Sequence, residues 1–422
     1  MIAPTTPASL STETDYLIDH MGAQGDGVSD GPVFIPLTLP GERVRATGRG
    51  ERAELIEIRQ ASSDRVSPSC PHFGTCGGCA LQHWAHQPYL HWKLEQIVLA
   101  LARERIETDV LAPFAALPGS RRRVALHARK QGRQVALGYK ARRSWSLVEI
   151  DVCTIADPRL VAAFPALKTF ARAFFENGKS APTLHVTWTE TGLDVDVTGV
   201  EAKLSGGLSA DRRQQAAEAA QAAGFARATL AGEMLYQAHR PIVRFGAAQV
   251  ALPAGGFLQA VAAAETAMAD FALDAIGKAD RVADLFCGSG AFSFRLAERA
   301  TVTAIDSSEG AIAALKGGIS TAAGLKSITA SARDLTRRPY LAMEMKKTEA
   351  VVFDPPRAGA PEQAGEIGRS KVSLAVAVSC NLATFARDAR TLVDAGFKLV
   401  KVLPVDQFLW SPHIELVGVF QR

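Results

Sequence analysis

The segment Val282-Ala-Asp-Leu-Phe-Cys-Gly-Ser-Gly-Ala-Phe constrains the fold of this chain more than any other. A short apolar run enters a turn built on Gly288 and Gly290 and leaves into a helical stretch. Glycines at such a turn let the backbone approach a ligand closely. Apolar runs at 281–286, 301–305, 350–353 and 373–379 alternate with helical segments. This alternation predicts an α/β domain over 241–422, doubly wound and Rossmann-like, with a mostly parallel sheet.

The texture upstream is different. Residues 12–60 alternate short apolar runs with Gly, Asp and Pro turns, as in Tyr16-Leu-Ile-Asp, Arg43-Val-Arg-Ala and Ala53-Glu-Leu-Ile-Glu-Ile. That pattern predicts a small antiparallel, OB-like β-barrel. Residues 86–106 place Leu90, Leu94, Ile97, Val98 and Leu101 at helical spacing. Strands are expected over 121–150 and a hairpin over 184–200, so 61–240 forms a β-rich central part. The Ala-rich stretches at 212–223 and 260–276 carry charges at intervals and suit ordinary helices. The chain has 422 residues, 47% of them hydrophobic, enough to bury more than one core. It shows neither an export signal nor an uninterrupted run of about eighteen apolar residues. A cytoplasmic protein without a membrane partner, acting as a monomer, is therefore expected.

Asp284 sits near the end of the first α/β strand, and Asp306 ends the next one. An acid before the turn suits an amino-acid cation, and an acid at the second strand end can hold two ribose hydroxyls. The third glycine of a dinucleotide fingerprint is missing, because Ser293 stands there. S-adenosylmethionine is favoured over NAD. Asp334 follows the next strand and could meet the adenine, although a solvated surface charge reads equally well. Three further features fall at strand ends: Asp354 in Val351-Val-Phe-Asp-Pro-Pro-Arg, Cys380 in Val376-Ala-Val-Ser-Cys-Asn, and Glu415 in His413-Ile-Glu-Leu-Val. A cysteine at a strand tip suggests covalent catalysis; a buried small hydrophobe is the even-odds alternative. Cys287, inside the glycine turn, is better read as packing.

Taken together and in order, Gly288-Ser-Gly, Asp354-Pro-Pro-Arg, Ser379-Cys-Asn and His413-Ile-Glu resemble the signature set of the RNA uridine-C5 methyltransferase family. The resemblance extends to Gly256-Phe-Leu-Gln and covers nearly the whole chain. It implies a class I, S-adenosylmethionine-dependent enzyme with Cys380 as nucleophile, Glu415 as base and Gln259 against the target uracil. Asp354 is read as a hydrogen-bonding partner of the uracil edge. The resemblance also implies that the helix at 86–106 packs with the catalytic domain. The barrel resembles a TRAM domain, an RNA-binding module. Members with such a barrel and an iron–sulfur cluster mostly act on large-subunit rRNA, so 23S rRNA is the preferred substrate and the tRNA T-loop the runner-up. Two readings from other classes are a non-catalytic RNA-binding protein and a redox sensor; intact Cys380 and Glu415 argue against the first. The chain departs from the family in three places. Val261 stands for an Asn, Leu382 for a Pro, and 406–413 replaces the usual Met, Pro and Thr at unchanged spacing.

Two surface features remain. Cys70, Cys76 and Cys79, with the distant Cys153, give four thiolates suited to zinc or to an iron–sulfur cluster. Spacing does not choose between them; the resemblance implies 4Fe–4S, with a structural or RNA-docking role. Residues 121–143 carry nine Lys or Arg and no acid. Such a run is usually a solvated face, but without compensation it favours phosphate contact. Tyr139 and Trp145, interleaved with it, are candidates for stacking on bases. The net charge is only +4, so the local distribution carries this inference.

Overall fold

The computed structural model describes residues 12–201 and 208–422, which fall into two compact units. The smaller unit holds the barrel, residues 79–96 and 410–412. Strands Thr12–Met21, Asp26–Ser29, Val33–Pro36, Arg43–Arg49 and Arg52–Gln60 close into a ring. The sequence predicted an antiparallel barrel, and four of the five pairings are antiparallel. The fifth, Val33–Pro36 with Arg52–Gln60, is parallel. A closed ring with an odd number of strands cannot keep every neighbour antiparallel. Ile18, Ile35, Val44, Ala46 and Ala53 fill the interior. Glu42 is fully buried and accepts both the Arg65 guanidinium, at 2.6 and 2.8 Å, and the backbone N–H groups of Leu39 and Ser62. Burial pushes this carboxyl up, but its four donors more than offset that and hold it below the ordinary value.

The larger unit contains two sheets that matter here. The central one has seven strands, in the order Leu147–Glu149, Gln134–Lys140, Arg123–Gln131, Thr183–Thr189, Gly192–Thr198, Arg227–Leu230 and Glu233–Gln237. Helices Phe164–Ala171 and Ala210–Ala222 cover one face over a core that includes Leu126, Phe170, Phe174 and Phe225. Alternation along the strands explains why only one face is apolar: Val124, Leu126 and Ala128 point inward while Arg123, His127 and Arg129 do not.

The second sheet positions the site. Five parallel strands run in the order Ile328–Ala332, Thr301–Asp306, Arg281–Leu285, Ala350–Phe353 and Leu374–Ser379. Glu415–Gln421 then inserts antiparallel between Leu374–Ser379 and Lys398–Asp406. Upstream residues complete the edge, since Asp109–Val110 and Phe114–Ala115 both pair with Lys398–Asp406. The central strands read as near-continuous apolar runs because helices bury both faces. Ala350–Phe353 is buried at every position. The reversed last strand has a direct consequence. It begins where its parallel neighbours end, so Glu415 at its start lies at the same edge as Asp354 and Cys380. Among the described residues, no helix is long and apolar enough to cross a membrane.

Candidate active site

The glycine turn joins strand Arg281–Leu285 to helix Ala291–Leu296. Gly288 and Gly290 have φ of +53° and +100°. A Cβ on Gly290 would lie 2.8 Å from the Phe294 ring, whereas one on Gly288 would meet no atom within 4 Å. The first glycine therefore faces open space and the second is required by packing. Asp306 holds the turn: its carboxylate accepts Gly288 N–H at 2.9 Å and Ser308 N–H at 2.7 Å. Asp284 is fully buried, accepts the Ser293 hydroxyl and keeps its other oxygen without a hydrogen-bond partner among the described residues. Burial and the nearby Asp306 push it up to about 7. An orphaned buried acceptor beside an open glycine fits a cationic ligand such as S-adenosylmethionine. Asp334 instead spends one oxygen on its own turn, accepting Thr336 N–H and hydroxyl, and pairs with Arg337.

The candidate reacting groups gather at the carboxyl end of the sheet. Leu374–Ser379 delivers Cys380, and Asn381 caps the next helix by accepting Ala383 N–H. The Asn381 side chain also donates to the Arg357 carbonyl at 3.0 Å, tying this turn to the Asp354-Pro-Pro-Arg loop. Leu382 occupies the first turn of the helix, a place Pro also suits. Gln259 is buried, and its amide donates to Asp354 at 3.2 Å. Gln407, also buried, donates from one nitrogen to the Gln259 oxygen at 2.7 Å and to the Glu415 carboxylate at 2.8 Å. Asp354, Gln259, Gln407 and Glu415 thus form one continuous chain of hydrogen bonds.

Electrostatics follow from this crowding. Burial raises Glu415 to about 7, against the lowering effects of Gln407 and Arg357. Asp354 is raised well above the carboxylate range by burial and by the charges of Glu415 and Asp284. The Cys380 thiol is pushed up by burial and by Glu415 and Asp354, with Arg357 opposing. A carboxyl near neutrality is suited to proton transfer, and a half-buried thiol among carboxyls needs a cation to become a nucleophile.

The sequence marks Arg122 and Arg123 only as members of the basic run, and Gln407 only as part of a stretch that departs from the family pattern. Arg122 donates to the Gln259 carbonyl and pairs with buried Glu265 at 2.9 Å. Arg123 reaches the Leu258 carbonyl and lies over the ring of Phe257, which is 70% exposed. The basic run therefore divides. Arg122 and Arg123 brace the Gln259 loop, while Arg129, Lys130, Arg133 and Arg143 stay exposed. Trp145 is 86% exposed under the Lys140 ammonium. Tyr139 is turned inward, its hydroxyl bonded to Cys153 with Cys76 nearby, so only Trp145 of the two aromatics presents a free face. Val261 packs into the core and leaves the helix Ala262–Ile276 without a side-chain cap. Cys70, Cys76, Cys79 and Cys153 are not joined in disulfides among the described residues. Among the described residues, no three His, Cys, Asp or Glu side chains gather in a metal-holding arrangement.

A strand-tip cysteine, two flanking carboxyls and an open glycine turn beside a buried acid are compatible with a methyltransferase. The comparisons agree. The tRNA (Uracil-5-)-methyltransferase family matches residues 248–422. An RNA methyltransferase of Caulobacter vibrioides is 61% identical over 97% of this chain and 100% of its own length. The 23S rRNA (uracil(1939)-C(5))-methyltransferase of Vibrio vulnificus is 27% identical over 96% of this chain and 94% of its own. Among solved structures, the Pyrococcus abyssi tRNA (uracil-54, C5)-methyltransferase with S-adenosyl-L-homocysteine shares the fold, with a TM-score of 0.72 at 21% identity. It covers 96% of this chain and 99% of that one. The chain belongs to the family of S-adenosylmethionine-dependent RNA uracil-C5 methyltransferases.

Proposed function

We propose that this protein methylates C5 of a uridine in 23S rRNA through a covalent adduct between Cys380 and C6 of the base. The observation that carries this is the meeting of Cys380, Asp354 and Glu415 at one sheet edge, threaded by Gln259 and Gln407. The Cys380 thiolate adds to C6, and the C5=C6 electrons move onto C5 and the O4 enolate. Asp354, whose burial beside Glu415 and Asp284 favours its protonated form, donates a hydrogen bond to the developing enolate, and Gln259 orients the uracil edge. Asp284, Gly288, Gly290 and Asp306, with Asp334 at the adenine end, would hold S-adenosylmethionine, which would supply the methyl cation that C5 takes up. Glu415 then removes the C5 proton. The C–H electrons rebuild C5=C6 and the thiolate leaves. The target base must leave its stack to reach Cys380, and Arg129, Lys130, Arg133 and Trp145 supply a surface for the surrounding RNA.

The preference for rRNA is supported by the full-length likeness to the Vibrio vulnificus enzyme and by the barrel, taken as a TRAM-like RNA-binding module. The division at 12–60, 61–240 and 241–422, with the last part Rossmann-like, belongs to the same reading. So does a 4Fe–4S cluster on Cys70, Cys76, Cys79 and Cys153, with zinc as the alternative. The cluster rests on spacing and on the resemblance, and no step of the reaction is routed through it. Iron and sulfide analysis of anaerobically purified protein tests it: iron in stoichiometric amount supports the cluster, zinc or neither metal removes it. The substrate is tested by incubating unmodified 23S rRNA and tRNA with labelled S-adenosylmethionine and mapping the label. Label at a uridine C5 of rRNA is expected; label on tRNA alone would keep the mechanism and overturn the substrate.

A further inference from the structure

We infer that Gln407 is a positioning residue for the base, holding Glu415 ionised and fixing which way round the Gln259 amide faces. The inference rests on the proposed roles of Cys380 and Glu415. Gln407 lies in the stretch where this chain departs from the family pattern, and no role for it follows from the resemblance. Its geometry is specific. One amide nitrogen donates to Glu415 at 2.8 Å and to the Gln259 oxygen at 2.7 Å. Its own oxygen is buried and has no hydrogen-bond partner among the described residues. With Glu415 ionised and Gln259 as placed, a turned-over amide would set its oxygen against two acceptors, the Glu415 carboxylate and the Gln259 oxygen.

Two consequences follow. A nitrogen that only donates favours the charged form of Glu415, the form that can accept the C5 proton. By occupying the Gln259 oxygen, the same nitrogen leaves the Gln259 nitrogen to face Asp354. The residue thus sets the polarity of the whole chain from Glu415 to Asp354, while its unpartnered oxygen is a cost that a purely structural residue would not carry. Other charges act on Glu415 as well. Arg357, whose guanidinium also touches the His413 ring, favours its ionised form, while Asp354 and the Cys380 thiol, when charged, oppose it as like charges. The hydrogen bond from Gln407 is the part of this environment that one substitution removes.

The test is the pH dependence of turnover in Gln407→Met, which keeps length and apolar volume but lacks the donor. The acid limb is expected to move up by about one pH unit, a typical effect of one lost hydrogen bond to a charged group. At the foot of that limb the rate falls roughly tenfold, and KM for RNA stays unchanged. Because the base acts after methyl transfer, a Cys380–RNA adduct that survives denaturing gels should accumulate at low pH. Gln407→Asn, whose amide cannot reach both partners, should shift the limb the same way. An acid limb that stays in place in both variants overturns the inference. Should Gln407→Met fail to fold, infrared titration of the Glu415 carboxyl decides, taken as the difference between wild type and Glu415→Gln. A midpoint unchanged in Gln407→Asn overturns the inference there too. Absence of methylation by wild type would instead overturn the proposed function, which keeps the two failures distinct.

Discussion

At the residue scale, the proposed chemistry depends on carboxyls and a thiol displaced from their ordinary protonation. Glu415 rises to about 7, mainly through burial. The Cys380 thiol also lies above its usual value. In the proposed mechanism both groups act in their charged forms, so methylation is expected to increase as pH climbs through 7 and to continue rising into the alkaline range. A rate that falls between pH 6 and 8 would contradict these assignments. Glu415→Gln should permit methyl transfer but block proton removal, leaving an RNA adduct on Cys380 that denaturing gels display. Release of free methylated RNA at the wild-type rate would remove Glu415 from its role. Cys380, Asp354 and Glu415 were legible in the sequence because each sits where an apolar run ends or begins. Gln407 was not, because its partners Gln259 and Glu415 meet it only through the sheet; Gln259 is 148 residues away along the chain. Arg122 and Arg123 were legible as charge but not as braces, since their acceptors lie more than 130 residues downstream.

At the element scale, the glycine turn contains two glycines with different duties. Gly290→Ala places a Cβ against Phe294 and Leu315 at φ +100°. The expected loss is roughly 2 kcal/mol or more of stability, read from chemical denaturation. Gly288→Ala meets no neighbour, so it should cost about 1 kcal/mol for its left-handed backbone alone. It should nevertheless weaken S-adenosylmethionine binding, measured by calorimetry, because the methyl group enters the open space assigned to the cofactor in the proposed function. Equal effects on stability and on binding in the two variants would contradict this division. The strands around the turn were readable from their buried apolar runs. The short pairings of Asp109–Val110 and Phe114–Ala115 with Lys398–Asp406 were not, because two-residue strands carry no periodicity.

At the scale of the whole molecule, each unit has its own stabilising device. In the barrel unit it is the buried Glu42–Arg65 pair. Glu42→Ala would leave Arg65 without its partner and remove the acceptor for two backbone N–H groups, a loss of about 3 kcal/mol in barrel stability. Because the folded carboxyl lies below its ordinary value, its contribution is fully present above the unfolded value of about 4. It is lost as pH falls through the folded value. Acid unfolding of the barrel should therefore flatten in Glu42→Ala; an unchanged acid limb would contradict the assignment. The larger unit is held by its sheets, and its last strand, running against its neighbours, returns Glu415 to the edge that carries Cys380. That reversal could be read only in part, since a sequence shows where a strand begins but not which strand it joins.

The central claim is covalent catalysis by Cys380. Its most direct test is tritium release from RNA labelled at uridine C5, followed together with methyl incorporation in wild type and Cys380→Ala. Wild type should release one tritium for each methyl group gained, and Cys380→Ala should give neither. Methylation and release that persist in Cys380→Ala would contradict the covalent mechanism.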